Sequence, residues 1–400
     1  MIRSSQVIDR KRMAKKIIAM DLRYAEVPNT GLTRFACNLF YKVINSERLN
    51  NQDFLLLLPP KKLSYHLNSI INAIDKSKVK IIYWNKSRKI LWKIPFLLFD
   101  PYLFRLLKQN KVQLFVCPFI DPPILPGIKV VSTIHDLTFI KVKNFFPKYS
   151  FIKKIISEIR ILITIFTSNY ILTVSLATKR QLISKYKALN IFIGKKLSNI
   201  TIIPNAISHI VSSKESNSIN IGNAILDLEF ILYVGDRRPH KNIKYLIELV
   251  KSLHYLGHSK IFLVIAGSTE YENISLSKMI KENSDFVIEV ISPNDSELNC
   301  LYTKCKCFCL LSLSEGFGIP VLEAAAHGAK VVVSNIASLV EIAPINSLIL
   351  DLNTKDLNPK LFKEYLMNEK RPNAESVIDY WTWDRSADIM CEFITNLKDE

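Results

Sequence analysis

Glycine is scarce in this chain of 400 residues: it has ten, whereas average usage of about 7% would give about 28. The shortage excludes collagen-like and glycine-rich low-complexity sequences, and it makes each remaining glycine informative. With 48% hydrophobic and 22% charged residues, the chain has the composition of a globular protein with a full core. Its length predicts two domains, with three as the alternative.

Cysteine is also sparse, and the number and spacing of the seven cysteines suit neither a disulfide framework nor a zinc site. Cys305, Cys307 and Cys309 alternate in an apolar segment, which favours buried thiols on one face of a strand over a metal cluster. Reduced thiols indicate a cytoplasmic protein. The basic start, residues 1–16, lacks the apolar core of a signal peptide, and we expect it to be a disordered extension.

Negative charge is in deficit, because 54 Lys and Arg against 36 Asp and Glu give a formal net charge of +18. A surface this basic suits nucleic acid or an anionic membrane. No apolar run reaches the roughly 18 residues of a membrane span, and the mean hydropathy is positive, at +0.14. That combination favours a peripheral protein on anionic lipid. Segments 86–99 and 141–154 mix cations with large apolar residues and could lie on such a membrane, although a core helix with a basic end explains the first equally well.

Short apolar runs alternate with longer helical patterns, which predicts an α/β fold with parallel sheets and helices on both faces. The predicted strands are 17–21, 54–59, 80–84, 114–118, 130–135, 171–175, 200–204, 230–234, 261–266, 286–290, 308–311 and 330–333. The polar interval 208–222 predicts a linker between an N-terminal domain (17–207) and a C-terminal domain (223–375), followed by a final helical segment (376–400). Ligands of such sheets bind outside the carboxyl ends of the strands.

The most informative segment is SLSEGFGIPVLE, residues 312–323, which follows a predicted strand and opens a helix. Gly316 and Gly318 permit a sharp turn and close approach of a ligand, and the free N–H groups of the helix start form an anion site. A diphosphate there would place a ribose diol on Glu323 and a second polyol on Glu315. On these residues alone, a helix-capping Glu315 and a solvated Glu323 explain the pattern equally well.

The spacing of Glu315 and Glu323 within EGFGIPVLE resembles that of the family-4 (GT4) retaining glycosyltransferases, the group 1 type with the GT-B fold. Five further segments resemble elements of that family in the same order, namely 21–34, 131–137 (VSTIHDL), 173–175 (TVS), 202–205 (IIPN) and 233–242 (YVGDRRPHKN). The resemblance implies two Rossmann-like parallel-sheet domains that face a cleft, and a C-terminal helix that crosses back to the N-terminal domain. It also implies sugar transfer from a nucleotide-diphosphate sugar.

The resemblance assigns the donor-binding residues one by one. Glu323 would hold the ribose of the nucleotide, and Glu315 would hold the donor sugar together with the backbone of Gly316, Phe317, Gly318 and Ile319. Arg237 or Arg238, with Lys241, would neutralise the diphosphate and stabilise its departure.

The turn that carries these cations departs from the usual pattern of the family. Asp236 stands where the family usually has the arginine that follows Gly235, so the choice between Arg237 and Arg238 stays open. A solvated basic turn is the alternative interpretation of the three cations.

On the acceptor side, His135 corresponds to a family histidine that touches the donor sugar near the reaction centre, although a hydrogen-bonded structural histidine is the alternative. Asp136 either acts on the acceptor or stabilises a turn, and Gly31 would give the acceptor-side loop its close approach. The resemblance implies retaining transfer on one face of the sugar, in which the leaving phosphate takes the acceptor proton, so that no carboxylate nucleophile is required. It implies no metal or other cofactor either.

We therefore expect a cytoplasmic enzyme, peripheral to the inner face of the cell membrane, that moves a hexose to a lipid-linked surface polysaccharide. The donor favoured is GDP-mannose, with UDP- and TDP-sugars as alternatives, and nucleic acid is not an expected partner. Two other classes compete with this hypothesis: a polyanion or nucleic-acid-binding protein, suggested by the charge of +18, and a catalytically silent nucleotide-sugar-binding partner of another transferase.

Overall fold

Two parallel sheets organise the chain, one in each half. The computed structural model describes residues 15–23, 25, 31–59, 63, 65–84, 99–142, 150–189, 194, 196–207, 223–258, 260–271, 274–353 and 357–397. The predicted linker 208–222, most of the predicted N-terminal extension and the membrane-facing candidate 86–98 lie outside the described residues, as do residues 143–149 of the second candidate.

The N-terminal sheet has seven described strands in the order β3-β2-β1-β4-β5-β6-β7, all parallel. The strands are β1 Ile17–Asp21, β2 Asp53–Leu58, β3 Val79–Tyr83, β4 Val112–Cys117, β5 Lys129–Ile134, β6 Tyr170–Thr173 and β7 Thr201–Ile202. Strand β2 shows why they form: five consecutive apolar residues are all buried, as expected for a strand that is covered on both faces.

Helices cover this sheet. They are α1 Gly31–Ile44, α2 Tyr65–Ala73, α3 Pro101–Gln109, α4 Thr138–Lys141, α5 Ser150–Thr167 and α6 Leu176–Lys185. Helix α3 begins where the sequence dictates, since Asp100 accepts hydrogen bonds from the N–H groups of Tyr102 and Leu103, and Pro101 opens the first turn.

The C-terminal sheet has six described parallel strands in the order β10-β9-β8-β11-β12-β13. They are β8 Glu229–Val234, β9 Ile261–Gly267, β10 Val287–Ile291, β11 Cys307–Leu310, β12 Val331–Ser334 and β13 Leu348–Leu350. The helices of this half are α7 Asn223–Leu226, α8 Ile243–Tyr255, α9 Ile274–Glu282, α10 Asp295–Lys304, α11 Ile319–Ala326, α12 Ala337–Ile342, α13 Pro359–Met367, α14 Ala374–Tyr380 and α15 Trp383–Thr395.

The last helix confirms the predicted crossover. Helix α15 packs on α1 of the N-terminal domain, where Trp383 is buried and lies edge-on to Phe35 with 6.1 Å between the ring centroids. Lys42 on α1 forms an ion pair with Asp384 at 2.8 Å. Helix α15 therefore helps to hold the two domains together.

The cysteines are free thiols, as predicted. Cys307 and Cys309 lie on β11, with their sulfur atoms 3.7 Å apart, whereas Cys305 precedes the strand and contacts the carbonyl of Tyr302. Within the described ranges, no group of three or more His, Cys, Asp or Glu side chains is arranged to hold a metal ion. Among the same residues, no helix has the length and apolar character needed to span a membrane.

Candidate functional site

The loop between β11 and α11, residues 312–318, is here called the glycine loop. It belongs to the C-terminal domain and contacts the N-terminal domain. The carbonyl of Gly316 accepts a hydrogen bond from the hydroxyl of Ser175, at 2.7 Å. The hydroxyls of Thr138 and Ser314 lie 3.1 Å apart. Because Ser175 and Thr138 follow strands β6 and β5, the carboxyl ends of both sheets meet here, where ligands of such sheets bind.

The glycines of this loop are crowded by protein. A Cβ atom on Gly316 would lie 2.2 Å from the carbonyl oxygen of His135, in the other domain. Gly318 has a φ of 108°, and its Cβ would lie 2.5 Å from Leu339. The sequence predicted close approach of a ligand at both positions, but the structure shows that backbone and side-chain packing already require glycine there.

Glu315 forms an ion pair with Lys241, at 2.7 Å between Oε1 and Nζ. The same oxygen accepts a hydrogen bond from the hydroxyl of Ser312 at 2.6 Å. Both charged side chains are largely buried, with 12% and 16% of their surface exposed, respectively. The structure thus brings together the predicted sugar-binding carboxylate and the predicted diphosphate-binding lysine, and the interpretation of Lys241 as part of a solvated turn is wrong.

Glu323 is buried within α11, and each of its carboxylate oxygens has a partner. Oε2 accepts a hydrogen bond from the hydroxyl of Tyr302 at 2.8 Å, and Oε1 lies 3.4 Å from the guanidinium of Arg34. Burial raises the pKa of this carboxyl, whereas Arg34 and Tyr302 act to lower it. The alternative of a solvated acid at Glu323 is therefore wrong.

The two candidate arginines have different surroundings. The side chain of Arg237 is only 2% exposed and forms an ion pair with Glu289 on β10. Arg238 is 36% exposed, forms an ion pair with Asp236 at 2.7 Å and lies over the ring of Tyr271. Arg238 is thus the more accessible of the two cations.

His135 and Asp136 follow β5 and lie against the glycine loop. The Nε2–H of His135 donates to the carbonyl of Pro118 at 2.7 Å, and burial lowers the pKa of the imidazole to about 4, so the ring is neutral at pH 7. Asp136 accepts from the N–H of Thr138 at 3.0 Å, which is the turn-stabilising contact. Burial raises the pKa of Asp136, and the nearby charge of Glu315 acts in the same direction.

The remaining predicted residues lie around this centre. A Cβ on Gly31 would lie 3.7 Å from Ile319, so the start of α1 faces the start of α11. Gly235 directly follows β8 and has a φ of 155°, and a Cβ atom on it would lie 2.7 Å from the hydroxyl of Tyr233. The ring of Phe317 is buried edge-on against Trp381, with 5.4 Å between centroids.

Sequence reasoning missed two residues that link the domains at this site. Arg34 lies within a segment that resembles the family, but nothing in its surroundings along the chain indicated that it would reach Glu323. Glu341 on α12 accepts hydrogen bonds from the N–H groups of Leu176 and Ala177, at 2.8 and 2.9 Å, and so caps α6 of the other domain. Nothing in the sequence around Glu341 indicated that contact.

Two Rossmann-like domains with parallel sheets, a site between their carboxyl edges and a crossover helix define the GT-B architecture. The family model of the glycosyl transferases group 1 matches residues 215–373, which lie mostly in the C-terminal domain.

Comparison with known proteins gives relatives over part of the chain and structural neighbours over almost all of it. The O-antigen chain mannosyltransferase RfbU of Salmonella typhimurium is 26% identical over 272 residues, which cover 66% of this chain and 67% of that protein. The O-antigen chain mannosyltransferase B of Escherichia coli is 25% identical over 234 residues, 57% of this chain and 58% of that protein. The alignment thus spans less than two thirds of the second relative.

Among solved structures, a glycosyltransferase from Rickettsia africae superposes with a TM-score of 0.66 at 15% identity, covering 96% of this chain and all of the other. Anabaena HepE, solved in complex with UDP and glucose, superposes with a TM-score of 0.63 at 13% identity, again covering 96% of this chain and all of the other. At such low identity, these neighbours establish the fold alone.

Proposed function

We propose that this protein is a retaining glycosyltransferase that moves a hexose from a nucleotide-diphosphate sugar to a growing surface polysaccharide. The observation that carries the proposal is the pair of carboxylates on either side of the start of α11. Glu315 is paired with Lys241 at 2.7 Å, and Glu323 is buried one turn inside the helix. The match of residues 215–373 to the glycosyl transferases group 1 model and the similarity to O-antigen mannosyltransferases support the same activity.

In this proposal, each polar group of the site has a distinct partner on the donor. Glu323 accepts hydrogen bonds from the ribose diol, and Glu315 accepts them from hydroxyls of the hexose. Lys241 and Arg238 stabilise the negative charge that develops on the leaving diphosphate, because preorganised cations at such a position lower the barrier most effectively. The positive end of the helix dipole at the start of α11 also favours the negative charge.

The transfer step proceeds on one face of the sugar. The bond between the anomeric carbon and the diphosphate oxygen breaks, the acceptor hydroxyl oxygen bonds to the same carbon, and the leaving phosphate takes the hydroxyl proton. The neutral imidazole of His135 lies beside the glycine loop and contacts the donor sugar. No metal or other cofactor is required in this scheme, and Arg237 acts through the structure of its turn.

Mannose from GDP-mannose is the donor that we favour, supported by the mannosyltransferase names of the sequence relatives. A UDP-sugar is the alternative, since HepE was solved with UDP. The acceptor is a lipid-linked saccharide, as expected for O-antigen assembly on the cytoplasmic side of a membrane.

We further propose that the enzyme docks on anionic lipid through the start of α5. Residues 151–156, FIKKII, are all exposed, and Phe151 exposes 74% of its surface. Adjacent apolar side chains and two lysines, Lys153 and Lys154, match a bilayer that presents acyl chains below negative headgroups.

A thermal-shift screen of GDP, UDP, TDP and their hexose derivatives tests donor binding. One nucleotide series should raise the melting temperature, because a ligand that binds only the folded state stabilises it. Glu323→Ala should abolish the shift, whereas Glu282→Ala, which removes a carboxylate on the surface of α9, should preserve it. A full shift for Glu323→Ala would contradict the assignment of the site. A shift without turnover of any donor would favour the silent partner.

A further inference from the structure

Arg34 belongs to the N-terminal domain, yet its guanidinium contacts two carboxylates of the C-terminal domain. It lies on α1, three residues after Gly31. Its Nη2 atom is 2.9 Å from Asp295 at the start of α10, and its Nη1 atom is 3.4 Å from Glu323 on α11. The side chains of Arg34 and Glu323 are only 13% and 4% exposed, so their contact is shielded from solvent, whereas the side chain of Asp295 is 47% exposed.

The environment of Glu323 is built from several elements. From α10 come the Tyr302 hydroxyl, bonded to Oε2, and the Asp295 carboxylate, which shares Arg34. From its own helix comes His327, whose Nδ1 lies 2.7 Å from the main-chain carbonyl of Glu323 and whose ring stacks on Tyr302. The cation that pairs with Glu323 comes from the other domain and is the guanidinium of Arg34.

A buried carboxylate needs such a cation if it is to accept hydrogen bonds from two hydroxyls. Burial favours the protonated acid, which would turn one acceptor oxygen into a donor. Arg34 opposes that tendency, whereas the negative charge of Asp295 reinforces it. The arginine therefore controls both the charge and the orientation of Glu323, from the opposite domain.

We propose that Arg34 is a positioning residue for the nucleotide, one that keeps Glu323 ionised and oriented and thereby makes donor recognition depend on the N-terminal domain. The proposal rests on the proposed function, because it takes Glu323 as the ribose-binding group. It gives α1 a role in donor binding in addition to the role of its first residue near the acceptor.

The proposal predicts how the affinity for nucleotide changes with pH, and in which direction each variant shifts that change. Nucleotide binding requires ionised Glu323, so affinity falls as the pH drops through the pKa of this carboxyl. Removal of Arg34 raises that pKa, and the loss of affinity then begins at a higher pH. Removal of the charge of Asp295 has the opposite effect, since Asp295 raises the pKa of Glu323.

The test measures binding of GDP and of UDP by calorimetry between pH 5 and pH 8, on the full-length chain. Arg34→Met should weaken binding at pH 7 by about tenfold or more, equivalent to 1.4 kcal/mol. It should also raise the midpoint, which is the pH at which half of the affinity has been lost on acidification. Arg34→Lys should restore part of the affinity, and Asp295→Asn should move the midpoint downwards. Ionisation of the nucleotide also affects the measured affinity, but it does so equally for every variant and therefore cancels when variants are compared.

Lys42→Met is the matched control, because it removes another ion pair between α1 and the C-terminal segment, far along the helix from Glu323. It should leave both affinity and midpoint unchanged. If Arg34→Met binds with wild-type affinity and midpoint while Glu323→Ala does not bind, the inference is wrong and the proposed function stands. If Glu323→Ala also binds normally, the proposed site itself is wrong. Should Arg34→Met fail to fold, an unshifted midpoint in Asp295→Asn would overturn the inference.

Discussion

At the scale of single residues, the site consists of charged groups that are held by packing. Glu315, Lys241 and Glu323 are all largely buried, and each has a specific partner, so their positions are fixed before a ligand arrives. Preorganised groups of this kind stabilise a transition state without having to reorient. The glycine loop is also closely packed, because a Cβ atom on Gly316 would lie 2.2 Å from the carbonyl oxygen of His135.

Gly316→Ala tests the importance of that contact. The new methyl group would meet backbone at 2.2 Å, so the loop and the segment of His135 must separate. We expect the rate of sugar transfer to fall by at least about tenfold, a cost of roughly 1.4 kcal/mol in transition-state stabilisation, while the domains stay folded by circular dichroism.

Gly257→Ala serves as the control for Gly316→Ala. Gly257 has a φ of 89° and open space around its Cβ position, so the substitution strains the backbone by about 1 kcal/mol without a steric clash. Its transfer rate should equal that of the wild type. An unchanged rate in Gly316→Ala would show that the close domain contact is not needed for activity.

At the scale of helices and strands, the sequence predicted most of the fold. All twelve predicted strands are present, because runs of buried apolar residues identify strands that are covered on both faces. The boundaries of these strands differ from the predicted ones by at most two residues, and the segment 200–204 is reduced to the two residues of β7. Strand β13 was missed, since only one of its three residues is buried and so short an edge strand has no distinct pattern.

Helix α5 allows the proposed docking on anionic lipid to be tested by mutation. Phe151→Ser/Ile155→Ser removes two exposed apolar side chains from its first turns. Burial of each would contribute on the order of 1 kcal/mol or more, so affinity for vesicles of phosphatidylglycerol should fall by about tenfold or more, measured by co-sedimentation.

The control for α5 is Ile274→Ser/Ile345→Ser, which removes two apolar residues of the C-terminal domain that are even more exposed than Phe151 and Ile155. It should bind vesicles like the wild type. Equal vesicle binding by the α5 variant would exclude this helix as the docking surface. Preferential, steeply salt-dependent binding of the wild type to DNA would favour the polyanion-binding alternative.

At the scale of the whole molecule, contacts between the domains were the part that sequence could not predict. The family resemblance placed Glu315, Glu323, Lys241 and His135 in one site, and the structure brings all four to the region where the domains meet. Arg34 and Glu341 reach across to partners about 290 and 165 positions away, respectively. Such pairings depend on how two separately formed sheets face each other, and local patterns contain no trace of that arrangement.

These contacts also define what the molecule can do as a unit. Glu341 caps α6, Arg34 reaches Glu323, and α15 packs on α1, so the two domains are held together at several places. A site assembled from both domains can hold two ligands at once, which the proposed transfer requires.

Measurement of sugar transfer is the most direct test of the proposed retaining glycosyltransferase activity. Wild type and Glu315→Gln would be incubated with GDP-mannose, or with the donor selected by the thermal-shift screen, and with lipid-linked saccharide. The product would then be examined by NMR. The account predicts a new glycosidic bond with the anomeric configuration of the donor, and a loss of about a hundredfold in rate for Glu315→Gln. An inverted configuration, or a wild-type rate in the variant, would contradict it.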